Sequence, residues 1–246
     1  MNFTIRHLDS CTSTNDVARE MARGGAPAGT VVTADEQTAG RGTKGRIWVS
    51  PRGKGLYVSI VVRPRAPEIS LLPLAAGLAA RDAVEIVCGL ASALRWPNDL
   101  VWEGRKLGGI LCESAFLGNL PDYAILGTGL NLGHGEADFP AELQPAAVSI
   151  LLITGKPVDR EALLAELLAQ TARRAGMIES GAEGAAGLIA DFERRSAFRP
   201  GDPIVVLAGG EPLRGEYRGL DPEGALVVGL PGGVRRFAAA EIARVL

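Results

Sequence analysis

The chain has 246 residues, of which 47% are hydrophobic and 22% are charged. This composition excludes intrinsic disorder over most of the length and can bury the core of one medium domain with a small one beside it. The 26 Lys and Arg residues are balanced by 28 Asp and Glu residues, which leaves a formal net charge of -2. This balance argues against general binding to nucleic acids or to membrane surfaces.

Targeting signals and covalent cross-links are not indicated by the sequence. The N-terminus lacks the basic and apolar regions of a secretory signal, and no stretch holds the roughly 18 consecutive apolar residues of a membrane span. The odd number and wide spacing of Cys11, Cys88 and Cys112 argue against a disulfide framework. Only His7 and His134 are present, so a multi-histidine metal site is not expected. We therefore expect a cytoplasmic protein.

The first half of the chain mixes helical and strand patterns. Residues 15–23 predict a short helix that Ser13 or Thr14 caps and that ends at Gly24. Residues 30–34 and 56–63 have the pattern of strands, and the second alternates apolar side chains along one face. A long apolar helix is predicted over residues 70–87, ending at Gly89.

Further strands and helices follow without strict alternation. Short strands are predicted at residues 94–96, 106–113 and 123–130, and helices at 160–177 and 183–195, the first of them capped by Asp159. Because several strands follow one another in the middle of the chain, the order favours an α+β fold, with a mixed β-sheet flanked by helices.

The composition changes near residue 197. Four short apolar runs at residues 204–207, 215–219, 225–228 and 234–237 are separated by turns rich in Gly, Asp and Pro. This spacing is typical of a small barrel of about five strands. We therefore predict a main domain over residues 1–196 and a small barrel domain over 197–246, which packs on the main domain because it can bury little surface alone.

A basic, glycine-rich segment is the most informative part of the sequence. No acidic residue lies between Gln37 and Pro67, whereas this segment contains Arg41, Lys44, Arg46, Arg52, Lys54, Arg63 and Arg65. Glycine allows the backbone to approach a ligand, and arginine binds phosphate or carboxylate through paired hydrogen bonds. The segment suits a phosphate-bearing small molecule. A solvated surface hairpin and an RNA-binding segment are the alternative interpretations.

Three polar or glycine-rich stretches at strand ends point to a site. They are residues 95–99 (RWPND), 106–111 (KLGGIL) and 127–131 (GTGLN). Each alone can be explained as a turn, a surface lysine or a β-bulge. Their occurrence on consecutive short strands, together with the basic segment, indicates one shared ligand site.

In this order, these motifs strongly resemble those of biotin protein ligases. The resemblance rests on Ser13-Thr14-Asn15, the GRGTKGRIW segment, the WPND tetrapeptide, Lys106 with GIL, and GTGLN. It implies a catalytic fold shared with class II aminoacyl-tRNA synthetases and lipoyl ligases, followed by an SH3-like β-barrel. It also implies formation of biotinyl-5′-AMP from biotin and ATP with Mg²⁺, and then transfer of biotin to one lysine of a biotin carboxyl carrier domain.

The resemblance also assigns residue roles. It implies Lys106, Arg41 and Asp99 as catalytic residues, with the first two stabilising charge and Asp99 orienting the incoming lysine. The residues implied in biotin binding are Ser13, Thr14, Asn15, Gln37, Gly40, Arg41, Gly42, Thr43, Lys106 and Gly109. Those implied in binding ATP and the adenylate are Arg41, Arg46, Trp48, Asn98, Lys106 and Asn131.

Two features qualify the resemblance. Thr43 stands where the family's loop often has a second arginine, so the adenylate is held by one guanidinium fewer unless Lys44 or Arg46 compensates. Only 12 residues precede Ser13, so we expect a ligase without the operator-DNA binding found in some members, with no protein-only metal site, and with a homodimer allowed. A lipoate or octanoyl ligase or transferase is the nearest alternative function.

Overall fold

The computed structural model describes residues 1–64, 68–209 and 211–243. Arg65 of the basic segment and Gly210, in one of the expected turns, lie outside the described residues. Within the described part, none of the helices is both long and apolar enough to cross a bilayer. The described chain forms a large mixed sheet with helices and a small antiparallel sheet, which confirms the α+β class.

The large sheet has seven strands in the spatial order β1-β2-β3-β7-β6-β5-β4. Only β1 and β2 pair in parallel, and all other neighbours are antiparallel. The strands in chain order are Thr4–Leu8, Thr30–Ala34, Gly55–Val62, Ala93–Arg95, Asp99–Trp102, Arg105–Leu117 and Leu120–Asn131. The long hairpin of β6 and β7 runs through the middle of the sheet and carries two of the three stretches identified in the sequence.

Among the described residues, five α-helices accompany the sheet: α1 Thr14–Arg23, α2 Leu72–Cys88, α3 Ile150–Thr154, α4 Arg160–Glu179 and α5 Ala182–Arg195. The hydroxyl-rich start of α1 differs from expectation, because Ser13 takes the N-cap position but its side chain makes no capping hydrogen bond. By contrast, the Asp159 carboxylate accepts a hydrogen bond from the Ala162 N–H at 3.0 Å. Gly89 ends α2 in the left-handed conformation with φ 65°, as predicted.

Strand β3 is buried on both faces. Leu56, Val58 and Ile60 contribute to the main core with α2, whereas Val61 belongs to a second cluster that includes Ala18 of α1. The alternation of apolar side chains in the sequence predicted that one face of β3 is buried. In the structure, α1 covers the opposite face as well. Because both faces are covered, β3 can hold Ser59 fully buried next to α1.

The helices are tied together by a buried ionic cluster. Arg174 of α4 is only 1% exposed and pairs with Asp82 of α2 and Asp191 of α5. A buried arginine is tolerated when carboxylates neutralise its charge. The pairs therefore link the three helices on one face of the sheet.

The small sheet contains Pro203–Leu207, Leu213–Leu220, Leu226–Leu230, Gly233–Phe237 and Glu241–Ala243 as β8 to β12. Its spatial order is β11-β10-β9-β8-β12, with antiparallel pairing throughout. The Trp96 indole N–H donates to the Gly224 carbonyl at 3.0 Å and joins this unit to the main one. The predicted SH3-like class is confirmed, whereas the boundary at residue 197 stays a prediction.

Strands β1 and β5 are among the elements that have no counterpart in the sequence prediction. Strand β1 is an exposed edge strand, so its side chains lack a buried alternation. Strand β5 begins at Asp99, which had been interpreted as part of a turn or site. The ladder between β5 and β6 shifts register near Leu107, so the expected β-bulge next to the glycine pair is present.

His134 lies fully buried just after β7. Its ring stacks on Phe139 with centroids 4.9 Å apart, and neither ring nitrogen has a hydrogen-bond partner among the described residues. Burial lowers the pKa of His134 from 6.5 to about 4. The unfolded chain therefore binds a proton below about pH 6.5, whereas the folded chain does not until about pH 4.

We predict that His134→Phe, which keeps a ring against Phe139, weakens the acid sensitivity of the fold. Stability linked to the neutral imidazole is complete above about pH 6.5 and is lost as the pH falls towards 4. Between pH 7 and pH 5 the wild type should lose about 1–2 kcal/mol more unfolding free energy than the variant. Urea unfolding at pH 7 and pH 5 measures the unfolding free energy of both proteins. An equal loss of unfolding free energy in wild type and in His134→Phe would contradict the prediction.

Candidate active site

Two adjoining cavities lie at the glycine-rich segment. Their shared wall is formed by Gly42, Thr43, Trp48 and Lys106, which line both. The first cavity measures about 440 Å³, and its other lining residues include Ser13, Thr14, Asn15, Gln37, Arg41, Asn98 and Gly109. The second cavity measures about 790 Å³, and its other lining residues include Arg46, Arg95, Asn131 and Phe139.

Most of the residues implied by the resemblance therefore come together. Every implied biotin residue except Gly40 lines the first cavity. Gly40 lies behind it, where an added Cβ would come within 2.4 Å of the Trp48 carbonyl oxygen. Among the implied adenylate residues, Arg41 and Asn98 line only the first cavity, whereas Arg46 and Asn131 line the second.

A polar network forms one end of the first cavity. The Gln37 carboxamide oxygen accepts hydrogen bonds from the Thr14 N–H at 2.8 Å and hydroxyl at 3.1 Å. The Ser59 hydroxyl lies 2.8 Å from Thr14 Oγ1 and 2.5 Å from Asn15 Oδ1. The Gln37 amide donates to the Ser50 hydroxyl at 2.9 Å. These bonds fix short polar side chains for a ligand with closely spaced donors and acceptors.

Trp48 lies flat across two strands because glycines leave it space. A Cβ on Gly129 would come within 2.6 Å of Trp48 Nε1, and one on Gly109 within 3.5 Å of the ring. The Lys106 ammonium lies 5.4 Å from the Trp48 ring centroid, within the range of a cation–π interaction. The indole N–H is buried without a partner among the described residues. Trp48 thus separates the two cavities beside Lys106.

Lys106 is neutralised within the protein. Its ammonium lies 2.5 Å from Asp99 Oδ1, and the other oxygen of Asp99 accepts from Arg95 Nη2 at 2.7 Å. The Lys106 N–H donates to the Ala146 carbonyl at 2.6 Å, which holds the backbone of the lysine. Asp99 is therefore the counter-ion of two cations at the shared wall.

Arg41 is also paired. Its Nη2 contacts Glu113 Oε2 at 2.7 Å and Asp16 Oδ1 at 2.9 Å. Arg19 bonds to both of these carboxylates. Burial alone would raise the pKa of Glu113, but hydrogen bonds from Asn15 and Arg41 outweigh this and leave the pKa below its ordinary value. Two guanidinium groups and two carboxylates thus balance beside the first cavity.

The small sheet reaches the same segment. Glu241 of β12 accepts from Arg46 Nη2 at 2.5 Å, and its Oε1 lies 3.5 Å from the Lys44 ammonium. Arg46 also donates to the Thr43 hydroxyl at 2.7 Å. In the ligand-free protein, therefore, Lys44 and Arg46 are already engaged.

Asn131 is nearly buried. Its Nδ2 donates to the Val148 carbonyl at 3.1 Å and lies 3.4 Å from the Lys106 carbonyl oxygen. The amide nitrogen is therefore committed to backbone, and its predicted contact with the nucleotide would use the carboxamide oxygen.

Several residues of the site were not identified from the sequence. Asp16, Ser59, Glu113, Phe139 and Glu241 lie outside the motifs. The available signal was an acidic side chain, Glu113, directly after the apolar run of residues 110–112. Glu113 pairs with Arg41, which lies 72 residues earlier in the sequence. This pairing cannot be deduced without the register of the sheet.

A group of potential metal ligands occurs elsewhere among the described residues. His7, Asp9 and Asp35 bring one ligand atom each within 4.8 Å of one another. Asp35 is already paired with Arg160, which lowers its pKa through a hydrogen bond. None of the three residues lines either of the two cavities, and we assign the group no role.

Comparison with known proteins defines the class. Residues 8–131 match the Biotin/lipoate A/B protein ligase family, and residues 201–245 match the biotin protein ligase C-terminal domain. The chain therefore belongs to the Biotin/lipoate A/B protein ligase family. The resemblance to biotin protein ligases drawn from the motifs is confirmed.

Individual relatives refine this assignment. The chain is 36% identical to a biotin–[acetyl-CoA-carboxylase] ligase of Paracoccus denitrificans over 237 residues, which is 94% of this chain and 96% of that protein. It is 35% identical to the bifunctional ligase/repressor BirA of Bacillus subtilis over 68% of this chain, and the match spans 52% of that longer protein. The biotin protein ligase of Aquifex aeolicus in complex with biotin and ATP superposes with a TM-score of 0.83 at 27% identity, covering 98% of this chain and 97% of that chain.

We predict that Gly129→Ala displaces the Trp48 indole, because the new methyl carbon would overlap Nε1. Overpacking of this kind should cost about 1–3 kcal/mol of unfolding free energy and change the near-UV circular dichroism of the tryptophans. Gly176→Ala on α4, where an added Cβ meets no atom within 4 Å, is the matched control and should be neutral or slightly stabilising. Identical spectra and stabilities for Gly129→Ala and wild type would refute the packing argument.

Proposed function

We propose that this chain is an ATP-dependent biotin–protein ligase that forms biotinyl-5′-AMP and then transfers biotin to a lysine of a carrier domain. The observation that carries the proposal is the pair of cavities meeting at Gly42, Thr43, Trp48 and Lys106. An acyl adenylate has an apolar acyl part, a phosphate and a nucleoside. A cation at the junction, Lys106, would lie near the phosphate in a ligand that spans both cavities, which supports the proposal. Family membership and the relatives' names support the same substrates.

The first step joins two anions. A carboxylate oxygen of biotin attacks the α-phosphorus of ATP, the new O–P bond forms, and pyrophosphate leaves. Like charges at 4 Å repel by about 4 kcal/mol at an effective dielectric near 20. In the proposed complex Lys106 and Arg41 offset this repulsion and stabilise charge that develops in the transition state.

One of the two cations must change partners for this to happen. Lys106 is paired with Asp99, whereas Arg41 can stay bound to Glu113 and Asp16 through Nη2 and offer the substrate anion its Nε, which has no partner among the described residues. When the substrate anions replace Asp99 as the partner of Lys106, one carboxylate oxygen of Asp99 becomes free. That oxygen then suits its proposed role of orienting the carrier lysine and accepting its proton.

In the second step the neutral ε-amine of the carrier lysine attacks the biotinyl carbonyl carbon. The new bond is an amide, the acyl–phosphate bond breaks, and AMP leaves. Lys106 is assigned to charge stabilisation, because an ammonium group paired with a carboxylate has no free electron pair with which to attack. The hydroxyl and amide groups of Ser13, Thr14 and Gln37 are assigned to the ureido ring of biotin.

Magnesium would arrive with the nucleotide. Mg²⁺ is usually held by phosphate oxygens, water and one or two carboxylates. Asp99 and Glu241 line a further cavity of about 520 Å³ together with Arg46 and Arg95, and both carboxylates are already paired with cations. The metal would therefore be held chiefly by the phosphates, where it would supply charge neutralisation of the triphosphate.

The proposal predicts biotin-dependent exchange of labelled pyrophosphate into ATP. Lys106→Ala should reduce the exchange rate about a hundredfold or more, because a charge-stabilising contact is lost. Lys156→Ala, at an exposed lysine outside the cavities, is the matched control and should exchange normally. Exchange with lipoate in place of biotin, or no exchange with either acid, would overturn the assignment.

Thr43→Arg should slow the escape of biotinyl-AMP by about tenfold, because a charged hydrogen bond to phosphate is worth about 1.4 kcal/mol or more. The variant also removes the Thr43 hydroxyl that accepts from Arg46. Thr38→Arg, which adds the same charge at an exposed position outside the cavities, controls for overall electrostatics. Dissociation of labelled biotinyl-AMP after dilution is measured, and equal rates for Thr43→Arg and wild type would contradict the prediction.

A further inference from the structure

Glu113 contacts the site from outside. Its side chain is 25% exposed and bonds to Arg41 Nη2 at 2.7 Å, yet neither it nor Asp16 lines the first cavity. Arg41 does line that cavity, and its Nε is buried without a partner among the described residues. The two carboxylates thus hold the end of a side chain whose remainder forms the cavity wall.

The position of Arg41 is coupled to that of Trp48 by backbone contacts. Residues 38–49, here called the glycine loop, form a narrow hairpin in which Arg41 is bridged to Ile47. The Gly42 N–H donates to the Arg46 carbonyl at 2.6 Å, and the Trp48 N–H donates to the Gly40 carbonyl at 2.9 Å. Holding the Arg41 side chain therefore restrains the strand that carries the indole.

Of the two carboxylates that bind Arg41, Glu113 is held more firmly in the structure than Asp16. It lies on β6 in the middle of the large sheet, paired with Ile125 of β7. It also accepts a hydrogen bond from Asn15 Nδ2 at 2.8 Å, and Asn15 is itself fixed by Ser59. Asp16 is more exposed and is shared with Arg19.

We propose that Glu113 is a positioning residue that fastens the glycine loop over the first cavity by binding Arg41. The inference rests on the proposed function, since it concerns how the acid and the adenylate are retained. It gives Glu113 no contact with either substrate. Its role is to limit how often the hairpin opens and how fast ligand leaves.

Glu113→Gln is the informative variant, because glutamine keeps an oxygen that can accept from Asn15 while removing the charge that binds Arg41. We expect biotinyl-AMP to dissociate about five- to tenfold faster, and the KM for biotin to rise by more than kcat changes. Tryptic cleavage of the ligand-free chain at Arg41, Lys44 and Arg46 should accelerate to a similar degree.

Salt provides a readout that a purely structural role would not share. Ion pairs this exposed are screened by salt, so the wild-type dissociation rate should rise between 50 and 500 mM NaCl. The rate for Glu113→Gln should be faster at low salt and rise less with salt, because this ion pair is lost while the contacts between the cations and the phosphate remain. Asp122→Asn, which breaks a pair with Arg63 at 2.9 Å on the same sheet but touches no loop residue, is the control and should behave as wild type.

Failure of this inference can be told from failure of the proposed function. Wild-type protein that exchanges pyrophosphate, with Glu113→Gln unchanged in dissociation, loop cleavage and salt dependence, would overturn the role of Glu113 alone. Absence of exchange in the wild type would overturn the function. Faster cleavage of the glycine loop in Glu113→Gln than in Asp122→Asn, measured without substrates, would still support the proposed role of Glu113 in holding that loop.

Discussion

Charge compensation is the constraint on which this site depends. The site brings Arg41, Arg46 and Lys106 to one small region, where their mutual repulsion would oppose folding. Each has a carboxylate partner: Glu113 and Asp16, Glu241, and Asp99 respectively. The protein can therefore fold with its cations assembled. In the proposed function, an incoming anion would replace the Asp99 carboxylate at Lys106.

The glycines on β6 and β7 make this arrangement sterically feasible. Side chains on neighbouring strands would otherwise occupy the surface on which Trp48 lies, because Gly109 pairs with Gly129 across the ladder. Gly127 in turn leaves space for Asn15, whose Oδ1 would lie 2.1 Å from an added Cβ. One hairpin thus admits both the polar network of the first cavity and the indole between the cavities.

The sequence carried enough information for the fold class, most elements and most cavity-lining residues. Alternation of apolar side chains identified β3, the Asp159 cap identified the start of α4, and the order of the motifs identified the family. The exposed edge strand β1 and the short α3 had no such periodicity. Glu113 and Glu241 could not be assigned, because their partners lie 72 and 195 residues away and ion pairing at that distance follows from tertiary register. Capping by Ser13 was wrong because its hydroxyl makes no bond to the first turn of α1.

The contact between Glu241 and Arg46 has a consequence for how such a protein can change over evolution or be engineered. Glu241, in the last strand of the small sheet, contacts the hairpin formed by residues 38–49, and Trp96 bonds to Gly224 of the same small domain. Exchanging this domain for that of a homologue therefore changes part of the electrostatic environment of the second cavity. Chimeras would need their acidic and basic partners transplanted as matched sets, since the two modules share one charge balance.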